Sequence, residues 1–434
     1  MRIDPDVLLL RSLQNALRYC TRTWRPVLLC LLVGASIAPL AYYGIWKIRF
    51  DRSYSSARAS LDEYDFPAAR ERLAECARLR PDEPTVWLLA AQVARRDGAL
   101  EDAESHLARF KQLSNGTPEG KIQEILLRVQ QGRIEPSVQY LMSLADSKHP
   151  DTEQILEALA VGSIHVYQFD KAEFWIGHLL ARFPKNPVGR LIRVQTDHTL
   201  GRHERAWERC RELVADFPRH NKARLTLATI SLKLQKFDDA IDIYRTLLEE
   251  RTEELFARLG LVRCFERTGR LSELAEVVRD LEERHADNSD SLLVCGKNAI
   301  GENRLADAER LLTRAAQLSP NDHNVHYQLG LCLEQLGKVE EAKSHMVQFK
   351  RIEADLVRME QLLGEIVKKP QEASLRREIG MICLRNGQID EGLRWLYGVL
   401  ETAPHDRETN EALADFFHSK GDLDRSVQHR RQIR

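Results

Sequence analysis

Residues 223–248 read ARLTLATISLKLQKFDDAIDIYRTLL and contain two helical patterns separated by a short polar break. The apolar residues of the first pattern are Leu225, Leu227, Ala228, Leu232 and Leu234. The second pattern starts at Ala240 and places apolar residues three, four and seven positions later, which is the spacing of an amphipathic helix. One helix pair cannot bury both of its faces. The stretch therefore predicts pairs that stack on neighbouring pairs in a repeat array.

The residue near the start of each second helix recurs along the chain with a nearly constant period. The positions are Ala69, Ala103, Ser137, Ala172, Ala206, Ala240, Leu274, Ala308, Ala342, Gly392 and Ser426. Successive positions are 34 residues apart except for one step of 35 and one of 50, and all but Leu274 are small.

Glycines and prolines punctuate the same period. Five residues before the repeated positions stand Gly98, Gly132, Gly201, Gly269, Gly337, Gly387 and Gly421. Twelve residues after them stand Pro81, Pro184, Pro218, Pro320 and Pro404. Glycine tolerates the left-handed conformation of a turn, and the residue before a proline is disfavoured in a helix. The glycines thus predict the turn within each pair, and the prolines predict its end.

Two stretches carry a resemblance to a known family. Residues 326–349, HYQLGLCLEQLGKVEEAKSHMVQF, and residues 223–248 resemble the tetratricopeptide repeat (TPR), and the likeness extends over about residues 50–434. The resemblance implies an all-α fold, a right-handed superhelical solenoid of about eleven helix hairpins. It also implies that the first helices of the hairpins form the inner, concave face.

An uncharged stretch at residues 26–46 precedes the repeats and is long enough to cross a bilayer as one helix. Trp24 lies at one end and Tyr42, Tyr43 and Trp46 at the other, where aromatic rings favour the headgroup region. A cleaved signal peptide is the alternative. Four basic residues flank each end, so charge does not fix the orientation. Because long C-terminal domains translocate largely regardless of charge, we expect a single-pass membrane protein with an extracytoplasmic repeat domain.

These features divide the chain into five segments. They are a short amphipathic N-terminal segment (1–25), a transmembrane helix (26–46), TPR repeats 1–9 (47–349), a helical insertion (350–370), and TPR repeats 10–11 with a C-terminal cap (371–434).

The insertion adds 16 residues between Ala342 and Gly392. Its apolar stripe consists of Leu356, Met359, Leu362, Leu363 and Ile366. The helical spacing of the stripe predicts a prolonged second helix or an additional one. The stripe either packs on adjacent repeats or forms a surface for a partner or a second copy.

Composition and motifs argue against several function classes. The net charge is −1 from 64 basic and 65 acidic residues, so no overall field attracts nucleic acid. The eight cysteines form no CxxC pair, which disfavours a zinc ribbon, and the sequence contains no HExxH, GxSxG, P-loop or GxGxxG motif. The sequence predicts no enzyme, no cofactor and no bound metal.

The family resemblance also implies which residues line the concave groove. They are Lys222, Thr229, Lys233, Arg263, Arg267 and Lys297, with Glu266 and Asp290 among them. This basic strip favours an acidic peptide, although an ordinary solvated face has the same composition. The Lys and Asn pair of the family's carboxylate clamp is absent from these helices.

The function that follows is a membrane-anchored scaffold or adaptor that binds proteins or peptides in the concave groove. Two alternatives remain open. One is a non-catalytic subunit that presents substrate to a partner enzyme of envelope biogenesis or secretion. The other is a self-assembling structural protein, although nothing in the sequence favours a homo-oligomer. The identity of the protein partner is not encoded in any motif.

Overall fold

The computed structural model describes residues 46–114, 116–134, 137–146, 149–250, 254–369 and 371–433, which form 22 α-helices and no strand. The all-α prediction is confirmed. The predicted N-terminal segment and all of the predicted transmembrane helix except Trp46 lie outside the described residues. Within the described ranges, no helix combines the length and apolar character that a bilayer crossing requires.

The chain forms two compact units, Met1–Gly120 and Lys121–Arg434. The described helices of the first unit are α1 (46–62), α2 (Phe66–Leu79), α3 (Pro84–Arg96) and α4 (Leu100–Leu113). Helix α5 (Pro118–Gln130) begins in the first unit and ends in the second.

The second unit contains the remaining helices. They are α6 (Val138–Asp146), α7 (Thr152–His165), α8 (Phe169–Arg182), α9 (Pro187–Thr199), α10 (His203–Asp216), α11 (Asn221–Lys233), α12 (Phe237–Glu249), α13 (Glu254–Thr268), α14 (Leu271–Arg284), α15 (Ser289–Gly301), α16 (Leu305–Leu318), α17 (His323–Gln335), α18 (Val339–Ile366), α19 (Ala373–Arg385), α20 (Ile389–Thr402), α21 (Arg407–Ser419) and α22 (Leu423–Gln432).

Consecutive helices pair, and we number the pairs from hairpin 1 (α1 and α2) to hairpin 11 (α21 and α22). The repeated position is the fourth residue of the second helix in every hairpin except the third, where Ser137 directly precedes α6, and it is small in all of them except hairpin 7, which has Leu274. Ala206, Ala240 and Ala308 are completely buried at this position. A small side chain here lets the two helices of a hairpin approach closely.

The turn within each hairpin contains one residue with a left-handed backbone conformation. Seven of these residues are the glycines of the sequence pattern, with φ between 70° and 89°. The other four are Tyr64, Tyr167, Gln235 and Asn303, with φ between 58° and 60°. The turn therefore keeps its geometry where the sequence offers no glycine, at a cost of about 1–2 kcal/mol for a residue with a β-carbon.

Stacking in the second unit brings first helices of successive hairpins into contact. Contacts link α7 to α9, α9 to α11, α11 to α13, α15 to α17 and α19 to α21. Between hairpins 6 and 7, the Tyr244 ring packs against Gly260. A β-carbon on Gly260 would lie only 2.3 Å from the nearest atom of that ring. The next hairpin thus closes directly over the Tyr244 ring of the preceding one.

The insertion forms part of one continuous helix. Helix α18 has 28 residues, whereas the second helices of the neighbouring hairpins have 14. Within its apolar stripe, Leu362 and Ile366 are completely buried and Leu356 is 44% exposed. The stripe is thus divided between the core and the surface.

A buried carboxylate joins the insertion to hairpin 10. Asp355 accepts hydrogen bonds from Arg385 Nε and Asn386 Nδ2, each at 2.9 Å, and Arg351 lies at 3.5 Å. These contacts join the C-terminal half of α18 to the end of α19, the first helix of hairpin 10.

Candidate functional site

All six predicted groove residues lie on the first helices of hairpins 6, 7 and 8, and four of them line clefts. Lys233 is the last residue of α11, Arg263 and Arg267 are one turn apart on α13, and Lys297 is on α15. Residues four apart in a helix share a face, so Arg263 and Arg267 point in a common direction. The structure brings these four cations to one side of the second unit.

Two adjoining clefts contain these side chains. The first has a volume of about 430 Å³ and is lined by Leu232, Lys233, Gln235, Phe237, Arg263, Glu266 and Arg267. The second, of about 200 Å³, is lined by residues of α13, α15 and α17 that include Arg263, Glu266, Asp290 and Lys297. Arg263 and Glu266 belong to both. We call the two clefts together the cationic groove.

The charges of the cationic groove are only partly compensated. Lys297 Nζ lies 2.7 Å from Glu266 Oε1. Lys233, Arg263 and Arg267 are exposed and make no ion pair with any described residue. Four cations face two carboxylates, those of Glu266 and Asp290, which leaves two positive charges in excess. An acidic ligand would therefore be attracted to this surface.

The other two predicted residues stand apart from the clefts. Thr229 is exposed one turn before Lys233, and its hydroxyl donates to the Leu225 carbonyl at 2.9 Å. Lys222 is half-buried at the start of α11, eleven residues before Lys233 and thus about 16 Å away along the helix. The structure places neither of them in the cationic groove.

A larger cleft lies where hairpin 10 meets hairpin 4. Its volume is about 600 Å³, and the α7–α8 turn, the α18 insertion and α20 all contribute to it. The Tyr167 and Trp395 rings face each other across 5.2 Å with an angle of 30° between their planes. Met359 and Leu363 of the insertion form an apolar wall. We call this space the junction cleft.

Polar groups also face the junction cleft. Arg394 forms an ion pair with Glu391, while its Nε is buried and has no hydrogen-bond partner in the described part of the chain. Burial lowers the pKa of the Arg394 guanidinium. Burial, together with the charge of Arg394, also lowers the pKa of His165, whose Nδ1 contacts the Gln130 carbonyl. The cleft thus combines apolar walls with a donor that lacks an acceptor.

Sequence reasoning did not find the junction cleft. Two signals were present: Tyr167 occupies a turn position that is glycine in seven other hairpins, and the 50-residue step marks the insertion. Neither signal predicts which distant residue packs against the turn.

The cysteines of the described residues behave as small apolar side chains. Cys76, Cys210, Cys264, Cys295, Cys332 and Cys383 are all buried and unbridged. Burial raises the pKa of Cys264 to about 11 and that of Cys210 to about 12. Such thiols remain protonated near neutral pH and are poor nucleophiles. Across the described ranges, no three His, Cys, Asp or Glu side chains are grouped to hold a metal ion.

Family models match much of the chain. Two models described as tetratricopeptide repeat match residues 54–118, 225–289 and 299–366. A third, described as anaphase-promoting complex, cyclosome, subunit 3, matches residues 165–247. No curated protein sequence is significantly similar to this chain.

Several solved structures are similar at low identity. The human IFIT1 dimer with m7Gppp-AAAA is 12% identical, with 81% of this chain and 89% of that chain covered and a TM-score of 0.41. Yeast Tom70 is also 12% identical, with coverages of 87% and 89% and a TM-score of 0.41. A tetratricopeptide repeat protein from Parabacteroides merdae is 16% identical, with coverages of 66% and 99% and a TM-score of 0.36. Similarities this distant do not bear on what this chain binds.

Proposed function

Because the chain belongs to the tetratricopeptide-repeat family, whose members serve in protein–protein interaction and scaffolding, we propose that it holds a protein partner through an extended acidic segment. The segment lies in the cationic groove, across the first helices of hairpins 6, 7 and 8. No step of chemistry is required of the chain itself.

One observation carries the proposal. Lys233, Arg263 and Arg267 are neighbours on successive first helices, all exposed, and none forms an ion pair with a described residue. Elsewhere on this protein, exposed arginines pair with a carboxylate, as Arg202 does with Glu173 and Arg407 with Glu411. The cationic groove thus keeps three cations available, and an acidic segment would supply the missing partners.

Binding of a synthetic peptide tests this directly. A fluorescein-labelled peptide of roughly twelve residues, built from Glu, Asp, Gly and Ser, is long enough to cross the groove when extended. Its affinity for the full-length chain in mild detergent is measured by fluorescence anisotropy. The triple variant Lys233→Glu, Arg263→Glu and Arg267→Glu should bind at least about tenfold more weakly, because complementary charges become repulsive.

A matched control keeps the overall charge change the same. Lys185, Arg219 and Arg284 are exposed residues at or near the connections between hairpins of the same unit, and none of them lines the groove. Reversal of these three to Glu should leave the affinity within about twofold, since exposed charges more than about 8 Å away are screened at physiological salt. Equal losses in both triple variants would reject the groove in favour of non-specific attraction.

We also propose that residues 26–46 attach the repeats to a membrane and that the repeat domain is extracytoplasmic. Support comes from the length and the aromatic ends of this uncharged stretch. The test is alkaline carbonate extraction of membranes followed by protease treatment of sealed cells. Release by carbonate would contradict the anchor, and protection of the repeat domain in intact cells would contradict the orientation.

A further inference from the structure

The junction cleft and the cationic groove each have a lining residue on one of two neighbouring first helices, α9 and α11. Thr199, at the end of α9, lines the junction cleft. His198 directly precedes Thr199. Burial is the main cause that lowers the pKa of His198, and the charges of His203 and of Lys233 in the cationic groove lower it further. Helices α9 and α11 are in contact. An extended chain could therefore run from one cleft into the other along the ends of successive first helices.

We propose that the junction cleft takes a bulky apolar side chain of the same partner segment whose acidic residues occupy the cationic groove. This inference rests on the proposed function and adds a second recognition element to it. Tyr167, Met359 and Leu363, all half-buried, form apolar walls that remain open to solvent. A volume of about 600 Å³ exceeds what one aromatic side chain needs and falls within the range of ligand-binding clefts.

Arg394 supplies a polar contact for the backbone of that segment. Its Nε is buried in the junction cleft without an acceptor among the described residues. A buried donor without an acceptor is unfavourable, and an extended peptide brings a carbonyl oxygen with every residue. The arrangement therefore favours a peptide with an extended backbone. One of its apolar side chains inserts into the cleft as an anchor, and a backbone carbonyl beside it accepts from Arg394.

The distance between the clefts sets the spacing within the segment. Packed helices lie about 8–10 Å apart, so α11 and α13 are roughly 10 and 20 Å from α9. An extended chain advances about 3.3 Å per residue. The apolar anchor should thus stand roughly three to six residues from the acidic run. The cleft geometry does not fix the chain direction, so both orders are tested.

The experiment compares four labelled peptides on the full-length chain in mild detergent. Each carries the same acidic run and a Gly-Ser spacer of about four residues. Two end in phenylalanine, one on each side of the run, and two carry serine in its place. In one of the two orders, the phenylalanine peptide should bind about tenfold more tightly than its serine counterpart, as expected for burial of one aromatic side chain.

Variants locate the source of that gain. The double substitution Met359→Ala and Leu363→Ala should remove the phenylalanine advantage and leave the affinity of the serine peptides unchanged. The control is Leu356→Ala with Val357→Ala on the same helix, at residues that are 44% and 53% exposed and do not line the cleft. The control should retain the advantage.

Should the double variant lose helical content by circular dichroism, a second measurement replaces it. The phenylalanine is exchanged for the photoreactive p-benzoylphenylalanine and crosslinked to the wild-type chain. Mass spectrometry should then identify Met359, Leu363 or Tyr167 as the attachment point. Attachment at any residue outside the junction cleft overturns the inference.

The remaining outcomes separate the two proposals. If phenylalanine and serine peptides bind equally in both orders, the anchor is rejected while the cationic groove stands. A phenylalanine advantage that survives Met359→Ala with Leu363→Ala also rejects it. If no acidic peptide binds the wild-type chain, the proposed function fails, and the anchor fails with it.

Discussion

The turn of hairpin 1 and the turn of hairpin 4 have the same local construction. Tyr64 and Tyr167 both adopt the left-handed conformation, with φ of 59° and 58°. In each case a phenylalanine follows two residues later, as the first residue of the next helix. Phe66 and Phe169 are both buried, and the Tyr and Phe rings meet edge to face at 87° and 88°.

The two turns differ in what covers the tyrosine. Tyr64 is covered by Arg96 of the next hairpin, whose guanidinium carbon lies 5.0 Å from the centre of the Tyr64 ring. The residue that packs on Tyr167 is Trp395, which comes 228 positions later in the sequence, and their ring centroids are 5.2 Å apart. The same Tyr-x-Phe pattern therefore serves a neighbour contact in one unit and a long-range contact in the other. The local sequence sets the turn, and the α18 insertion decides what it meets.

The substitution Trp395→Ala should have the largest effect on this difference. Trp395 is 4% exposed, so truncation should cost the second unit about 3–5 kcal/mol through lost burial and the cavity that remains. Hydrogen exchange followed by mass spectrometry should reveal faster exchange at residues 164–169. The turn at residues 61–66 should be unchanged, and equal acceleration at both turns would contradict the assignment of Trp395 to Tyr167 alone.

The substitution Asp355→Asn should cost about 2–3 kcal/mol, because a buried carboxylate that holds Arg385 and Asn386 loses its charge-assisted hydrogen bonds. The Arg385 hydrogen bond is the main reason that the pKa of Asp355 is below its usual 3.8. A lowered folded-state pKa contributes stability that is present above pH 3.8 and lost as the pH falls through the folded value.

The pH dependence of unfolding therefore checks the Asp355 network. Thermal unfolding of wild type and Asp355→Asn should differ most near neutral pH and converge as the pH falls below 3.8. A difference that is independent of pH would mean that the variant acts by packing alone. Faster exchange at residues 164–169 in the variant would show that hairpin 10 is held in place by the insertion.

A double-mutant cycle on Tyr167→Ala and Trp395→Ala should give a coupling of about 0.5–1.5 kcal/mol, the range of aromatic pairs. Denaturant unfolding monitored on the second unit provides the four free energies. Phe174, whose ring contacts are Trp175 and His178, serves as the comparison. Phe174→Ala with Trp395→Ala should be additive within about 0.5 kcal/mol, and coupling of equal size would remove the special status of Tyr167.

The smallest effect is expected at the turn of hairpin 6, where the side chain of the left-handed residue, Gln235, is exposed to solvent. Gln235 has φ of 60° and an exposed side chain, so Gln235→Gly should raise the free energy of unfolding by a few tenths to about 1 kcal/mol through relief of strain. Tyr167→Gly should instead lower it, because the ring contacts outweigh the strain. Chemical denaturation of both variants decides the point, and stabilisation by both would deny the Tyr167 ring any structural role.

The sequence was sufficient to predict most of the repeat architecture, and the reason is local. Ala206, Ala240 and Ala308 occupy the same position in their hairpins because each repeat packs against its neighbours in the same way. The glycines predicted seven of the turns. The turns at Gln235 and Asn303 have no glycine, and only the period predicts them.

The candidate sites were predictable in part. Lys233, Arg263, Arg267 and Lys297 share the cationic groove because the family pattern assigns a face to each position of a first helix. Lys222 and Thr229 follow the same pattern but stand away from the clefts, because the pattern fixes direction and not the shape of the surface. The junction cleft could not be predicted, since the insertion breaks the period and with it every rule that relates one hairpin to the next.

The contact between hairpins 4 and 10 also constrains how this chain can be built and can change. An open array accepts the gain or loss of one 34-residue unit with little consequence, because each unit touches only those beside it. Here, deletion of a hairpin between the fourth and the tenth would carry Trp395 away from Tyr167. On the ribosome, early hairpins can form as they emerge, but this contact cannot form until Trp395 has been synthesised, and distant pairings of this kind are slow to form.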